Sequence, residues 1–183
     1  MRSKFLKYIS ENDLFDKNAK ILLALSGGVD SVCLADILVQ LNFNVEFAHC
    51  NFNLRGEESH QDQNFVKKLS VLYDVPFHTI SFETDKYASE YKISHQMAAR
   101  EQRYIWFEKI RSKISADFIA IAHNYDDNIE TFFINIIRGS GIKGLLGIKN
   151  KNNFIVRPLM FADRDQIVRY VESNDLKYRE DSS

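Results

Sequence analysis

Short apolar runs alternate along the chain with longer stretches in which apolar residues recur at helical spacing. The runs predict five buried strands, at 20–25, 44–49, 76–82, 117–122 and 154–156. The longer stretches predict five helices, at 30–41, 59–73, 94–114, 127–137 and 163–173, the last opened by a capping box at Asp163 and Gln166. This alternation predicts an α/β fold, a doubly wound parallel five-stranded sheet with helices on both faces.

Length and composition fit a single domain spanning 1–183. The chain has 183 residues, of which 45% are hydrophobic, with seven glycines and two prolines, and this composition excludes collagen-like and disordered classes. It contains no internal repeat, domain linker or low-complexity tract. The last residues, 178–183, are polar and follow a predicted helix directly. We therefore expect the chain to be one domain of a longer protein.

Charge, cysteine and histidine content narrow the range of partners. With 24 basic and 25 acidic residues the net charge is −1, which argues against a purely electrostatic nucleic-acid binder but does not exclude RNA bound through a local patch. Cys33 and Cys50 belong to no C-x-x-C pair and the five histidines have no zinc-ligand spacing, which indicates a reduced, cytoplasmic protein without such a metal site. Without a signal-like segment or a run of about 18 apolar residues, we expect no membrane partner.

The strongest chemical signal is the segment that joins the first predicted strand to the first predicted helix, Ser26-Gly27-Gly28-Val29-Asp30-Ser31. Unpaired N–H groups at a helix N-terminus bind anions, and Gly27 and Gly28 lack the Cβ atoms that would keep a phosphate away. The hydroxyls of Ser26 and Ser31 add donors. Because a carboxylate beside a polyphosphate needs an intervening cation, Asp30 indicates Mg²⁺. The simpler alternative is a tight turn in which Asp30 helps to cap the helix.

A second glycine-rich segment, 139–144, matches the pattern G-x-G-x-x-G. It follows a predicted helix rather than a strand, so it favours a helix C-cap and connector over a dinucleotide site. Arg138, directly before it, is available for phosphate. No Walker A pattern occurs in the sequence, and kinase-type transfer of a γ-phosphoryl group is therefore not expected.

A cluster of polar and acidic residues follows the fourth predicted strand, at 123–131. If this strand reverses the strand order, its loop and the 26–31 loop meet in the binding crevice, and Asp127 then faces the glycine-rich turn. Asp127 and Glu130, one helical turn apart, are candidates for Mg²⁺ or substrate, with His123 near the nucleotide. The alternative is N-capping by Asp126 or Asp127, with a solvated first turn.

The long helix at 94–114 contributes two arginines of interest. A predicted inward-facing stripe consists of Met97, Tyr104, Phe107 and Ile114. Arg100 lies three residues after Met97 on the same side. A charge placed there requires a partner or a cavity. For Arg100, and still more for Arg103, an ordinary solvated position on the helix surface is the alternative.

Two resemblances follow from these motifs. The S-G-G-x-D-S turn resembles the PP-loop of the ATP pyrophosphatases, and a wider set of segments resembles the tRNA(Ile)-lysidine synthetase family. These segments occur in the family's order and are ALSGGVDS, HCNFNLRGEE, AREQRY, AHNYDDNIET, RGSGIKGLL, RPL and YREDSS. The run around His49 is less histidine-rich than is usual in the family, and the family continues into helical C-terminal domains beyond the end of this chain.

The resemblance implies an ATP-dependent, two-step modification of the wobble cytidine of tRNA(Ile) with a CAU anticodon. ATP adenylates the C2 oxygen of cytosine, and the ε-amine of free L-lysine then displaces AMP to give lysidine. By resemblance, residues 26–31 hold pyrophosphate, and Asp30 and Asp127 hold Mg²⁺ as catalytic groups together with Arg100. Arg103, Glu130 and the segment Arg138-Gly139-Ser140-Gly141 are expected to contact substrate or tRNA. A homodimer is common in this family.

Three alternatives stay open at this level. A PP-loop tRNA thiolase is disfavoured because Cys33 and Cys50 are isolated. An amide-forming synthetase that makes GMP or NAD would need a separate glutaminase. A nucleotide-binding module without catalysis is disfavoured by the intact Ser26, Asp30 and Asp127.

Overall fold

A computed structural model describes residues 1–139 and 147–180 of the chain. Its helices are α1 (Arg2–Glu11), α2 (Val29–Gln40), α3 (Glu57–Leu72), α4 (Thr84–Tyr91), α5 (His95–Lys113), α6 (Tyr125–Ile137) and α7 (Arg164–Ser173). Its strands are β1 (Lys20–Ala24), β2 (Asn44–Asn51), β3 (Phe77–Ser81), β4 (Phe118–Ala120), β5 (Lys151–Asn152) and β6 (Ile155–Val156).

These strands form one sheet of six strands in the order β3-β2-β1-β4-β6-β5. All neighbours pair in parallel except β5 and β6, which are antiparallel. The predicted parallel α/β sheet is confirmed, but the prediction of five strands is wrong. The sixth strand, β5, is a two-residue exposed hairpin arm whose polar residues carry no apolar signal. Helices α1 and α4 were likewise not predicted.

Helices cover both faces of the sheet, as predicted. Alternate residues of β1 point to opposite faces, so that Ile21 and Leu23 join a core with α1, α2, α3 and α7, whereas Leu22 joins a second core with α5. In contrast, α6 is rich in apolar residues but buries none of its side chains, and Ile137 at its end is 83% exposed.

The strand order reverses between β1 and β4. The chain runs outward from β1 through β2 to β3, and then returns to pair β4 on the other side of β1, with Leu22 opposite Ile119. The loops after these two neighbouring strands diverge, and this opens a crevice at the carboxyl edge of the sheet. The predicted meeting of the 26–31 loop and the 123–131 segment at this crevice is confirmed.

Candidate active site

The turn between β1 and α2 is built to receive an anion. Helix α2 begins at Val29 with Gly28 as its N-cap, and no side chain caps it. The first N–H groups of a helix have no partner within the helix. Together with the helix dipole, they make the start of α2 a site for a phosphate group.

The two serines of this turn have different environments. Ser31 is buried, and its Oγ accepts the Gly27 N–H at 3.0 Å and donates to the Gly28 carbonyl at 2.9 Å. Ser26 is exposed and its Oγ lies 3.1 Å from that of Ser31. The Ser31 hydroxyl therefore holds the loop in shape, whereas Ser26 is the hydroxyl with free access to a ligand.

Gly27 is required by the backbone of the turn. Its φ is +100°, and a Cβ there would lie 3.3 Å from Phe65 Cδ1 and 3.4 Å from Val66 Cγ2. The Gly27 carbonyl accepts the N–H of Arg179 at 2.9 Å, and the Arg179 side chain binds Asp62 of α3 at 2.9 Å. The turn is thus held from two sides, by α3 and by the segment after α7.

The second half of the site is the N-terminus of α6. Asn124 is its N-cap and accepts the Asp127 N–H, while Asp127 accepts the Asn124 N–H in return. The alternative in which Asp126 or Asp127 is the N-cap is wrong, because Asn124 is the N-cap and Asp127 occupies the N3 position of the helix. The Asn124 amide also donates to Asp30 Oδ1 at 3.1 Å, which ties the start of α6 directly to the β1–α2 turn.

Asp30 lies between these two helix starts. Burial raises the pKa of its carboxyl, and the nearby charge of Asp127 adds to this, while Arg164 and Asn124 act in the opposite direction. Arg164, the first residue of α7, forms an ion pair with Asp30 Oδ2. Because the charge of Asp127 acts on Asp30, these two carboxylates, which are predicted to share a site, are close enough to repel each other.

Glu130 stands apart from this pair. It lies on the next turn of α6 and is exposed, and it is not among the described residues that line the crevice. The structure therefore brings Asp127 to the β1–α2 turn but leaves Glu130 on the outer surface of α6.

The crevice is a cavity of about 780 Å³. It is bounded by the β1–α2 turn, the ends of β2 and β4, and one face of α5. From the sequence-predicted set it collects Ser26, Gly28, Val29, Asp30, Ser31, Arg100, Arg103, His123 and Asp127. Gly27 is buried directly behind the turn. A cavity of this size accommodates a nucleotide.

Helix α5 presents both of its arginines to the cavity, each over an aromatic ring. Arg100 lies 5.1 Å from the ring centre of Tyr104, and Arg103 lies 5.1 Å from that of Phe52. The predicted inward stripe is partly wrong, because Met97 is 52% exposed. Phe107 of the stripe is buried as predicted and packs on the sheet beside Trp106. Arg100 is an exposed charge of the cavity lining.

Two histidines line the cavity with opposite hydrogen bonds. His123 Nδ1 accepts from Arg157 Nε at 2.9 Å, and His49 Nδ1 donates to the Leu25 carbonyl at 2.8 Å. Burial is the main cause that lowers the pKa of both imidazoles, and for His123 the charge of Arg157 contributes. Both rings are therefore neutral donor–acceptor groups near pH 7.

Several residues of the site had no role assigned from the sequence. Arg55 and Arg179 both bind Asp62, each at 2.9 Å, beside the β1–α2 turn. These contacts are distant in sequence: Arg157 lies 34 positions after His123, Arg164 lies 134 positions after Asp30, and Arg179 lies 117 positions after Asp62. The family-like segments HCNFNLRGEE, RPL and YREDSS contain several of these residues, and those segments were the only signal.

The segment after α6 is described only in part. Arg138 is exposed at the C-cap of α6, and Gly139 has a φ of +65°. This supports the C-cap interpretation of the second glycine-rich segment at its start. The predicted substrate residues Ser140 and Gly141 lie outside the described residues.

Neither cysteine is poised for chemistry. Burial raises the pKa of Cys33 to about 12 and that of Cys50 to about 12, so both stay protonated thiols near pH 7. Among the described residues no cluster of three or more histidine, cysteine or acidic side chains could hold a metal ion. The helices of the described residues are also too short or too polar to span a membrane.

Comparison with known sequences assigns the chain to a family. A family model described as a PP-loop domain matches residues 1–183. A protein named tRNA(Ile)-lysidine synthase from Bacteroides thetaiotaomicron is 46% identical over 183 residues, which are 100% of this chain and 43% of that protein. One of the same name from Porphyromonas gingivalis is 48% identical over 177 residues, covering 96% of this chain and 39% of that protein. The chain thus spans about two fifths of the length of these curated relatives.

Solved structures support the same fold at lower identity. The U34-tRNA thiolase NcsA from Methanococcus maripaludis aligns with a TM-score of 0.79 and 22% identity, over 98% of this chain and 64% of that one. The NMN synthetase from Francisella tularensis aligns with a TM-score of 0.68 and 17% identity, over 96% and 70%. Because the family model spans the whole chain and the β1–α2 turn has the expected geometry, this chain belongs to the PP-loop domain family.

Proposed function

We propose that this chain is the catalytic domain of a tRNA(Ile)-lysidine synthase, a ligase that uses ATP to convert the wobble cytidine of tRNA(Ile) to lysidine. The relatives that carry this name align with nearly all of the chain at 46% and 48% identity. One structural observation carries the proposal: the uncapped start of α2 opens into the same cavity as Asp127, His123 and the arginines of α5. A site for phosphates and a site for a polar base therefore adjoin.

The proposed chemistry requires the protein mainly to align the reacting groups of ATP, cytosine and lysine. In the first step the C2 oxygen of cytosine attacks the α-phosphorus of ATP and pyrophosphate leaves; in the second, the ε-amine of free L-lysine attacks C2 and AMP leaves. The N–H groups of α2 and the Ser26 hydroxyl hold the leaving pyrophosphate. Arg100 and Arg103 supply positive charge at the mouth, where the base must enter.

We further propose that Asp30 and Asp127 hold Mg²⁺. The donor set fits, because Mg²⁺ prefers carboxylate oxygens completed by phosphate oxygens and water, and two adjacent carboxylates that repel each other favour a cation between them. Bound Mg²⁺ would neutralise charge on the phosphates. The Asp30 carboxylate must then exchange its ion pair with Arg164, and this frees the Arg164 guanidinium for a phosphate.

The magnesium role is tested by Asp30→Asn. We expect pyrophosphate release to fall by at least about a hundredfold, as for loss of one electrostatic catalytic group, with the fold intact. Asp117→Asn is a matched control: Asp117 lies directly before β4, and its side chain accepts the Lys20 N–H. Wild-type turnover in Asp30→Asn would refute the metal role.

The function itself is tested by pyrophosphate release from ATP in the full-length protein. We expect release that depends on tRNA(Ile) bearing CAU, and incorporation of labelled lysine into that tRNA. Release that is independent of this tRNA would exclude the lysidine function. The thiolase alternative is not favoured, because Cys33 is buried and because the pKa of Cys50, which is partly buried at the cavity wall, is raised so that its thiol stays protonated.

A further inference from the structure

Arg157 is a buried cation directly behind the cavity wall. It is 7% exposed, and its side chain donates to two neutral groups, His123 Nδ1 at 2.9 Å and the Lys149 carbonyl at 2.8 Å. Tyr104 is close enough to act on the pKa of the guanidinium. The charges and hydrogen bonds that act on its guanidinium within the described chain include no carboxylate. An unpaired buried charge is costly to keep. Arg157 therefore has a task that a neutral side chain would not perform.

The hydrogen bond to His123 fixes the position of a proton. An arginine is protonated at every pH at which a protein is folded, so Arg157 Nε can only donate. His123 Nδ1 must accept and is therefore bare, and the neutral ring carries its proton on Nε2. Of the other charged groups that act on His123, only Asp127 favours the imidazolium, whereas Arg100 and Arg103 oppose it as Arg157 does.

His49 offers an internal comparison within the same cavity. Its Nδ1 contacts the Leu25 carbonyl at 2.8 Å, and a carbonyl can only accept. His49 Nδ1 must therefore carry the proton, which leaves Nε2 as a bare acceptor. The two cavity-lining imidazoles thus have opposite tautomers, each dictated by one neighbour.

We propose that Arg157 is a positioning residue that fixes His123 as a neutral Nε2–H donor toward the phosphates of a nucleoside triphosphate. Because Arg157 occupies Nδ1, the ring nitrogen available to a ligand is Nε2, which carries the proton and can donate. The positive charge of Arg157 on the opposite side of the ring makes this Nε2–H a stronger donor to an anion. The identity of the ligand as ATP rests on the proposed function. The tautomer of His123 does not.

The test uses histidine labelled with ¹⁵N in this chain and long-range ¹H–¹⁵N correlation above pH 7. His123→Gln and His49→Asn assign the two rings. We expect a protonated Nε2 and a bare Nδ1 for His123, the reverse for His49, and a shift of the His123 Nε2 resonance when ATP is added. A protonated His123 Nδ1 would overturn the proposal.

The variant Arg157→Met removes both donor and charge while filling similar space. We expect His123 to lose its single tautomer and ATP affinity, measured by calorimetry, to fall about tenfold, as for one charge-assisted hydrogen bond. Arg111→Met is the matched control, since Arg111 also donates to a backbone carbonyl, that of Ala116 at 2.8 Å, but lies away from the cavity. Arg111→Met should leave the His123 tautomer unchanged and the ATP affinity within about twofold of wild type.

Arg157→Lys keeps the charge and a donor, so this variant should retain the Nε2–H tautomer of His123 and most of the ATP affinity. An unchanged tautomer or unchanged ATP affinity in Arg157→Met would contradict the positioning role. If Arg157→Met does not fold, the His123 tautomer in Arg157→Lys and in the wild-type protein tests the positioning role of Arg157. If the tautomers are as expected but no lysidine forms on tRNA, the proposed function fails while the role of Arg157 in fixing the His123 proton stands.

Discussion

At the scale of single residues, the two adjacent glycines of the β1–α2 turn have different reasons to be glycine. Gly27 has a φ of +100° and sits against Phe65 and Val66. Gly28 has an ordinary φ of −70°, and a Cβ there would meet only Ser26 Oγ, at 3.6 Å. The fold therefore requires Gly27, whereas Gly28 is required only by a ligand that approaches the start of α2.

This difference predicts opposite effects of two alanine substitutions. Gly27→Ala should destabilise the fold by about 1–3 kcal/mol, because alanine is strained at that φ. Gly28→Ala should change the free energy of unfolding by less than about 0.5 kcal/mol but weaken ATP binding by about tenfold or more, since its methyl group blocks the phosphate. Urea unfolding and calorimetry separate the two effects. Unaltered ATP affinity in Gly28→Ala would show that phosphate does not bind at this turn.

The residues of the site differ in how far the sequence predicts them. The S-G-G-V-D-S turn could be predicted because its chemistry is contained in six consecutive residues. The Arg164–Asp30 ion pair spans 134 positions and the Arg157–His123 bond spans 34. Apart from the family-like segment RPL, which contains Arg157, nothing local distinguishes Arg157 or Arg164 from other arginines, because their contacts form only on folding.

At the scale of elements, the start of α6 connects helix stability to the site. Asn124 is 3% exposed and caps α6 with one end of its amide, while the other end donates to Asp30. A single side chain therefore fixes both the helix start and the orientation of the PP-loop carboxylate.

Asn124→Ala should accordingly have two effects. Loss of the cap should destabilise the fold by about 1 kcal/mol, and loss of the Asp30 contact should weaken ATP–Mg²⁺ binding severalfold. Ser94→Ala is the matched control, because Ser94 caps α5 by accepting the Met97 N–H and is not part of the cavity. It should reduce stability by a similar or smaller amount and leave nucleotide binding unchanged. Equal binding defects in both variants would contradict a specific role for Asn124.

The elements themselves were predictable in proportion to their apolar content. Strand β1 is predicted from a continuous apolar run, which reflects burial on both faces, and β2 from a mostly apolar run that Glu46 interrupts. Helix α1 buries only Phe5 and Ile9 among charged residues, and α4 buries only Thr84 and Ala88. Such short helices gain their stability from tertiary packing, which a local pattern does not show.

At the scale of the whole molecule, the net charge is only −1, but paired and unpaired charges are distributed unevenly around the cavity. Asp62 pairs with Arg55 and Arg179, and Asp30 pairs with Arg164. Among the described residues, no ion pair involves Arg100 or Arg103, which stack on aromatic rings instead. These two arginines are therefore positive charges of the cavity lining that no described carboxylate neutralises.

The same cavity makes the stability of the whole fold depend on pH. Burial lowers the pKa of His49 and His123 below the ordinary value of 6.5, so the folded chain resists protonation that the unfolded chain accepts. Their contribution is fully present above about pH 6.5 and is lost as the pH falls through the folded pKa values. Asp30, whose pKa is raised by burial, acts in the opposite sense, since its ionisation disfavours the fold as the pH rises.

We therefore expect the free energy of unfolding to fall on acidification below about pH 6.5, with a slope that approaches about 1.4 kcal/mol per pH unit for each histidine. Urea titrations at a series of pH values from neutral to mildly acidic measure this slope. His49→Asn keeps an amide N–H near the position of Nδ1, for the Leu25 carbonyl, but cannot titrate, so it should make the slope shallower. Because Asp30 is present in both proteins, the comparison isolates the histidine. An identical slope in His49→Asn would show that this buried ring does not couple acid to unfolding.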